Sequence, residues 1–338
     1  MKSIECAAVT SDFRGRERPR HTQIWSIELS GPEKNAVLLL AHGSPESVDD
    51  IPEFLGRITG GRPVPPGVIE EVKRRYELIG RSPLTELTLR QGRLLADELR
   101  SPVYVGMRNW KPYIAETLRT MNSDGIVRAV AICMAPQNSR TSVGLYRAAL
   151  NLGEDAERHP PLAVDFVESW HDHPFLIKAF AEKFRAGWQH ACKQMSARLP
   201  VIFTAHSVPQ RTVAEGDPYE DQTKETASLV AREASLASGD WNFAFQSQGM
   251  SGGAWLGPTV ESTILELKEK GHAGVLLQPI GFLCDHVEIL YDIDIALKQF
   301  AEKQGMRLWR AHSLNDSPLL TAALADLSRS RIGLPIVK

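Results

Sequence analysis

The chain has 338 residues, 43% hydrophobic and 24% charged, with a formal net charge of -2. That length suits two domains of ordinary size better than a single core, and the near-neutral charge argues against nucleic acid as a partner. Cys6, Cys133, Cys192 and Cys284 lie far apart with no CxxC pair, so neither a zinc knuckle nor a disulfide framework is indicated and a reducing cytoplasm is expected.

In chain order, the first 33 residues are polar and rich in arginine, with "ERPR" at 17–20, and read as a flexible, solvated extension without the apolar core of a signal peptide. The strand "AVLLLAH" (36–42) follows, then helical periodicity over 68–79 and 84–99, the strand "PVYVGM" (102–107), a helix over 112–122 and the strand "VRAVAICM" (127–134). The strand "LAVDFVES" (162–169), a helix over 175–194, the strand "PVIFTAH" (200–206), a helix over 219–236 and the strand "WNFAFQ" (241–246) continue the alternation. A helix over 258–270, the strand "GVLLQPI" (274–280), a helix over 285–304 and the strand "MRLWRA" (306–311) complete it. Val, Ile and Leu without polar alternation mark strands buried on both faces, which predicts parallel sheets covered by helices and an α/β fold. No apolar run reaches the roughly 18 residues of a membrane span. The strands divide four and four about the polar, proline-marked "EDAERHPP" near residue 160. The chain therefore reads as two doubly wound halves, 34–160 and 161–338, with no close sequence repeat and with room for the last helix to pack on the first half.

In open parallel sheets, ligands sit at the carboxyl ends of strands, where the connections diverge. Two histidines stand at such ends, His42 after the first strand and His206 after "VIFTA"; a satisfied structural histidine is the plain alternative for each. On a regular helix starting near Asp285, residues three and four apart share a face, so Asp285, Glu288 and Asp292 are expected to form one acidic ridge. The helix dipole accounts for Asp285 and partly for Glu288, but not for Asp292, two turns in. An imidazole and a carboxylate at neighbouring strand ends suit either proton transfer or a divalent cation such as Fe2+, and spacing leaves both open.

Other motifs carry less. The glycine-rich "MSGGAWLGP" (250–258) is not G-x-G-x-x-G after a first strand and no Walker pattern occurs, so a nucleotide ligand is disfavoured, and with it a nicotinamide-dependent oxidoreductase. "WHDHP" (170–174) spaces His171 and His173 two apart, compatible with a metal but more simply an exposed loop. Cys284 is a potential ligand or nucleophile beside the acidic helix, although a small buried residue is the default for cysteine.

The segments "LLAHGSPES", "VKRRYELIGRSPL", "VYVGMRNWKPYI", "APQNSRTSVGLYRAA", "FTAHSVPQRTVAEGDPYEDQ", "QSQGMSGGAWLGP" and "PIGFLCDHVEILYDID" run in order between about residue 36 and residue 315. Together they resemble the ferrochelatases, which insert Fe2+ into a porphyrin in haem synthesis; AHS with a proline two residues on, GDPY, WLGP and DHVE followed by LY form a far more specific set than any one motif. The resemblance implies two Rossmann-like domains of the chelatase type with a porphyrin cleft between them. It assigns His206 and Glu288 as the catalytic and metal-site pair, with Fe2+ and porphyrin as substrates. Insertion must remove two pyrrole protons and strip water from Fe2+, and a bent macrocycle turns a nitrogen lone pair toward the metal. The resemblance further implies that Arg75, Tyr76, Ser82 and Tyr146 contact the porphyrin, Arg75 as a bidentate donor to a propionate.

Ferrochelatases acting on protoporphyrin commonly carry an apolar lip that meets the membrane, where this chain has the short, charged "GGRPVPPGVIEEVKRRYELIG". It is similar to the insertion-free bacterial form that makes coproporphyrin haem, so coproporphyrin III is the expected porphyrin, protoporphyrin IX the alternative, and no stable membrane insertion is expected. With no cysteine-bearing extension before Lys338, no iron–sulfur cluster is expected. Two positions depart from the pattern. His42 stands where coproporphyrin enzymes usually have tyrosine and many others methionine, over one face of the macrocycle, and an imidazole there is expected to ligate the inserted iron. Ala296 stands where some members place a further acid, so an outer metal site is not expected. A non-catalytic haem or metal carrier with this fold is the alternative from another class, and intact His206 and Glu288 argue against it. Nothing in the sequence marks the protein that receives the haem.

Overall fold

The structure is a computed structural model that describes residues 34–152, 162–248 and 253–332. The expected extension over the first 33 residues lies outside them. Strands β1 (Lys34–Ala41), β2 (Val103–Met107), β3 (Ile126–Cys133) and β4 (Ala163–Val167) form a parallel sheet in the order β2-β1-β3-β4. Strands β5 (Val201–His206), β6 (Trp241–Gln246), β7 (Gly274–Pro279) and β8 (Arg307–Arg310) repeat that order as β6-β5-β7-β8. In each sheet the chain moves to one side and then crosses to the other. The carboxyl ends of β1 and β3, and of β5 and β7, therefore open into crevices where the connections part.

Eleven described helices cover the sheets: α1 (Ile51–Ile58), α2 (Pro66–Ile79), α3 (Leu84–Leu99), α4 (Ile114–Ser123), α5 (Val143–Leu152), α6 (Pro174–Met195), α7 (Gln210–Ala214), α8 (Tyr219–Glu233), α9 (Val260–Glu269), α10 (Lys298–Lys303) and α11 (Pro318–Ile332). Between β7 and α10 the chain forms a π-helix over Glu288–Leu297, so the regular α-helix expected over 285–304 is replaced by a wider-turned segment that starts at Glu288. The segment before α1 was not expected to be helical, yet its start is well specified. Ser47 Oγ accepts from the Asp49 N–H at 3.1 Å while Asp50 Oδ2 accepts from the Ser47 N–H at 3.2 Å, a reciprocal cap.

Alternation along the strands builds three apolar clusters. Val37, Leu39 and Val130 of the first sheet join Leu95, Phe180, Phe184 and Leu324 of α3, α6 and α11, and Phe203 and Leu276 of the second sheet, in one core lying between the sheets. Ala36, Leu38 and Leu40 face α4 and α5 on the outer side of the first sheet, and Ile202, Ala244 and Leu277 face α9 and the π-helix on the outer side of the second. Phe180 and Phe184 are 0% and 1% exposed; truncating either to alanine costs about 3–5 kcal/mol in such a core. The last helix, α11, packs on α6, α3 and β3, and Arg329 Nη2 binds Glu98 Oε1 at 2.9 Å. The shared core and this helix hold the two sheets, and the crevices at their strand ends, in a fixed relation.

Candidate active site

His206 is the last residue of β5, and Glu288 the first residue of the π-helix that follows β7, so the two flank the β5/β7 crevice. The imidazole Nδ1 lies 2.5 Å from the carbonyl of Ser207. A carbonyl only accepts, so Nδ1 carries a proton, and in the neutral ring Nε2 is left as the bare acceptor. Nε2 then faces Glu288 Oε2 at 3.3 Å, and that oxygen has no hydrogen-bond partner within the protein. Two lone pairs at this distance repel unless something positive lies between them. The pair is therefore a slot for a proton or a metal cation. Bonds of about 2.1 Å to nitrogen and oxygen, usual for a divalent first-row ion, fit a 3.3 Å separation with an open angle at the metal.

Two further histidines use the same local device. His42 Nδ1 is 3.0 Å from the Gly43 carbonyl, and His286 Nδ1 is 3.0 Å from the Cys284 carbonyl, so both also present Nε2 without a proton. Burial lowers the pKa of each below its ordinary value, and for His42 the Arg108 cation adds to the effect. Burial by itself would raise the Glu288 carboxyl; a proton on a neighbouring imidazole, His206 first and then His286 or His42, together with the Arg75 cation, reverses this and holds it below the ordinary carboxylate range. His286 is 8% exposed and its ring centroid lies 4.4 Å from that of Phe282. Sequence reasoning missed it, although it stands two residues before Glu288 in the DHVE motif that was singled out.

The geometry of β1 explains why His42 reaches the site. Gly43 adopts φ +80°, and a Cβ there would lie 2.8 Å from Trp110 Cβ, so only glycine allows the chain to turn this tightly after the histidine. The ring of His42 is then set edge-on to Phe54 at 5.9 Å.

The expected porphyrin contacts fall into two groups. Tyr76, Ser82 and Tyr146 are buried at 2%, 7% and 5% exposure, and Tyr76 Oη and Ser82 Oγ have no partner within the protein. Burial raises the Tyr76 and Tyr146 phenols, and for Tyr76 the Glu288 carboxylate adds to the rise. Arg75 is already engaged: its Nε donates to Glu71 Oε1 at 2.9 Å and its Nη1 to Asp292 Oδ1 at 3.2 Å, with the guanidinium 4.8 Å from the Tyr291 ring centroid. A propionate would have to take the place of one of these carboxylates. Arg108, which the sequence did not single out, lies over the Tyr146 ring at 5.6 Å with its Nε buried and unpartnered, beside His42. It is a second carboxylate-ready cation.

Other expectations need correction. Asp285 does not join an acidic ridge: it precedes the π-helix and is bound by Ser313 Oγ at 2.7 Å, Asn315 Nδ2 at 2.8 Å and Arg310 at 3.3 Å. Asp292 does lie one turn beyond Glu288, where it accepts from Ser247 Oγ at 2.8 Å; burial raises its carboxyl. A cavity of about 470 Å³ opens there, lined by Arg75, Ser247, Asp292 and Ala296 among others, and it does not include His206 or Glu288. Among the described residues, no three His, Cys, Asp or Glu side chains are grouped to hold a metal ion. The "WHDHP" histidines are not on an exposed loop and do not converge. His171 bridges Ser169 Oγ at 2.8 Å and Glu225 Oε2 at 2.9 Å, whereas His173, 9% exposed, caps α6 through Phe175 N–H and reaches Asp326 at 3.1 Å. Cys284 is buried and accepts from Gln91 Nε2 at 3.0 Å, away from any nucleophilic role.

Two parallel sheets of matching strand order, each opening into a crevice at its strand ends, define a chelatase-type fold. A solved structure of SirB from Bacillus subtilis with Fe3+ shares that fold at a TM-score of 0.53, with 11% identity over 88% of this chain and 95% of that one. The ferrochelatase family profile matches residues 34–332, and the chain belongs to the ferrochelatase family. A ferrochelatase of Acidobacterium capsulatum is 54% identical over 312 residues, covering 88% of this chain and 94% of the relative. A coproporphyrin III ferrochelatase of Geobacillus sp. is 33% identical over 311 residues, 89% and 99% of the two chains. The protein is accordingly an enzyme that inserts a metal into a porphyrin, with Fe2+ and porphyrin as substrates.

Proposed function

We propose that the chain is a coproporphyrin III ferrochelatase with His206 and Glu288 as its insertion centre. The observation that carries this reading is the 3.3 Å opposition of the bare His206 Nε2 and the unpartnered Glu288 Oε2. Glu288, kept ionised by nearby positive charge, supplies the negative charge that offsets the loss of water from Fe2+. Two pyrrole protons must leave as the ion enters, and the bare Nε2 atoms of His206 and His286 are bases of the right kind beside it. A resident metal centre needs more ligands than this pair provides; an ion in transit needs fewer.

Coproporphyrin is supported by charge and by shape. Arg108 brings a cation with an unpartnered Nε to the cleft, and Arg75 a second once a propionate takes the place of Glu71 or Asp292, which suits a porphyrin with four propionates better than one with two. Charged α2 occupies the interval of the apolar lip, and no helix among the described residues is long and apolar enough to cross a membrane. On the His42 side, the bare Nε2 would ligate the inserted iron and hold the product. Anaerobic Fe2+ insertion assays with coproporphyrin III and protoporphyrin IX test the substrate, with kcat/KM expected to favour the tetracarboxylate; a preference for the dicarboxylate overturns it, and binding of both substrates without turnover would make the protein a carrier. An iron–porphyrin complex whose optical spectrum is unchanged by His42→Ala removes the axial-ligand role.

A further inference from the structure

The loop after β3, on the first sheet, is seated in the second half by a continuous run of hydrogen bonds. Gln137 Nε2 donates to Thr226 Oγ1 and to the Ile280 carbonyl, each at 3.1 Å, and the Asn138 N–H donates to Gln222 Oε1 at 2.6 Å. Ser139 Oγ and the Arg140 N–H donate to Asp217 Oδ2 at 3.1 and 2.8 Å. The other oxygen of Asp217 accepts from the Tyr219 N–H at 3.1 Å, and Tyr219 Oη donates to the carbonyl of His206 at 3.0 Å. Asp217 and Tyr219 are each 8% exposed.

The receiving carbonyl belongs to the His206–Ser207 peptide, which directly precedes the Ser207 carbonyl that holds the imidazole Nδ1. On the β5 side facing β7, strand pairing ends at Thr204, so the sheet provides no partner there for the His206 carbonyl. Tyr219 takes that place, while the N–H of the same peptide, on Ser207, donates to the Gln246 carbonyl at 2.7 Å. The imidazole Nδ1–H in turn points to the Ser207 carbonyl. With both polar groups of the His206–Ser207 peptide tied down, the backbone between the His206 side chain and the Ser207 carbonyl that anchors its Nδ1 is held, and with it the direction of Nε2 toward Glu288.

We propose that Tyr219, held by Asp217, is a positioning residue that couples the seating of loop 137–140 to the aim of His206, so that the cation slot is assembled only when the two halves are in register. Tyr219 touches neither metal nor porphyrin in this role; it acts through the His206 peptide. The inference rests on His206 and Glu288 being the insertion centre.

The test uses the full chain and the Tyr219→Phe variant, which keeps the buried ring and removes only the donor. The metal KM is expected to rise about ten-fold, the size of one lost hydrogen bond, and the rate–pH profile is expected to move, while porphyrin affinity by fluorescence quenching stays near wild type and the urea midpoint falls only by the share of that one bond. Asp217→Asn is expected to act in the same direction. Ser139→Ala combined with Tyr219→Phe is expected to be less than additive in metal KM, because both act through one line of contacts. An unchanged metal KM and pH profile in Tyr219→Phe overturns the proposal, as does a uniform loss in all parameters that tracks the folded fraction. His206→Ala separates the two levels: if it abolishes insertion while Tyr219→Phe does nothing, the positioning role alone fails, and if it turns over normally, the site itself fails.

Discussion

Replacing Glu288 with glutamine keeps the shape of the side chain and removes its charge. At the 3.3 Å separation from His206 Nε2, a unit charge acting in an effective dielectric of about 20 is worth about 5 kcal/mol. The carboxylate side chain is 36% exposed, and solvent screening lowers this to roughly 2–3 kcal/mol for each positive charge in the slot. At 1.4 kcal/mol per factor of ten, one unit of charge lowers kcat/KM for the metal by about 30- to 150-fold. The amide also donates toward the bare Nε2 and fills the slot with a neutral hydrogen bond. The assay is initial-rate insertion of Fe2+, or of Zn2+ as an air-stable substitute, followed by the porphyrin absorption bands, with porphyrin affinity measured by fluorescence. A Glu288→Gln protein that binds porphyrin normally and inserts metal within five-fold of wild type would show that the Glu288 charge does not admit the ion.

Other perturbations follow from single contacts. Gly43→Ala forces a Cβ to 2.8 Å from Trp110 Cβ at φ +80°, and is expected to lower unfolding stability by about 2–4 kcal/mol, read as a shift of the urea midpoint. His286 has a folded-state pKa below 6.5 through burial, so the unfolded chain binds more protons than the native one just below that pH. Stability is thus retained above 6.5 and falls as pH drops through it, and His286→Asn is expected to flatten that slope in urea titrations between pH 7 and 5; an unchanged slope contradicts it. Burial pushes the Cys284 thiol up to about 12, so iodoacetamide at pH 8 is expected to leave it unmodified in the native protein and to label it only on unfolding, as peptide mapping shows directly.

Much of the fold was legible because parallel strands buried on both faces are written as uninterrupted Val, Ile and Leu. All eight strands fall within two residues of the runs that predicted them. Helices were legible where one face is apolar, as in α3 and α6. Residues 318–332 were passed over although Leu320, Ala323 and Leu324 share one buried face, because further alanines and leucines around the helix blur the stripe where α11 is wedged among α6, α3 and β3. The π-helix was hidden for another reason: a register change in backbone bonding leaves the i, i+4 spacing of Glu288 and Asp292 readable but misplaces Asp285, which the structure ties to Arg310, Ser313 and Asn315. At the site, His42, His206 and Glu288 were accessible from the strand-end rule and the acidic spacing. Arg108 was not, because its buried, unpartnered Nε is a property of the folded cleft, and a lone arginine after a strand looks the same on any surface.

In the proposed reaction, metal enters the porphyrin between His206 and Glu288. Single-turnover Fe2+ insertion into coproporphyrin III by the wild-type and His206→Ala proteins, under anaerobic conditions and at saturating porphyrin, tests it most directly. Wild-type turnover is expected and, in His206→Ala, porphyrin binding with insertion lost; insertion by His206→Ala within about ten-fold of wild type would place the insertion centre elsewhere.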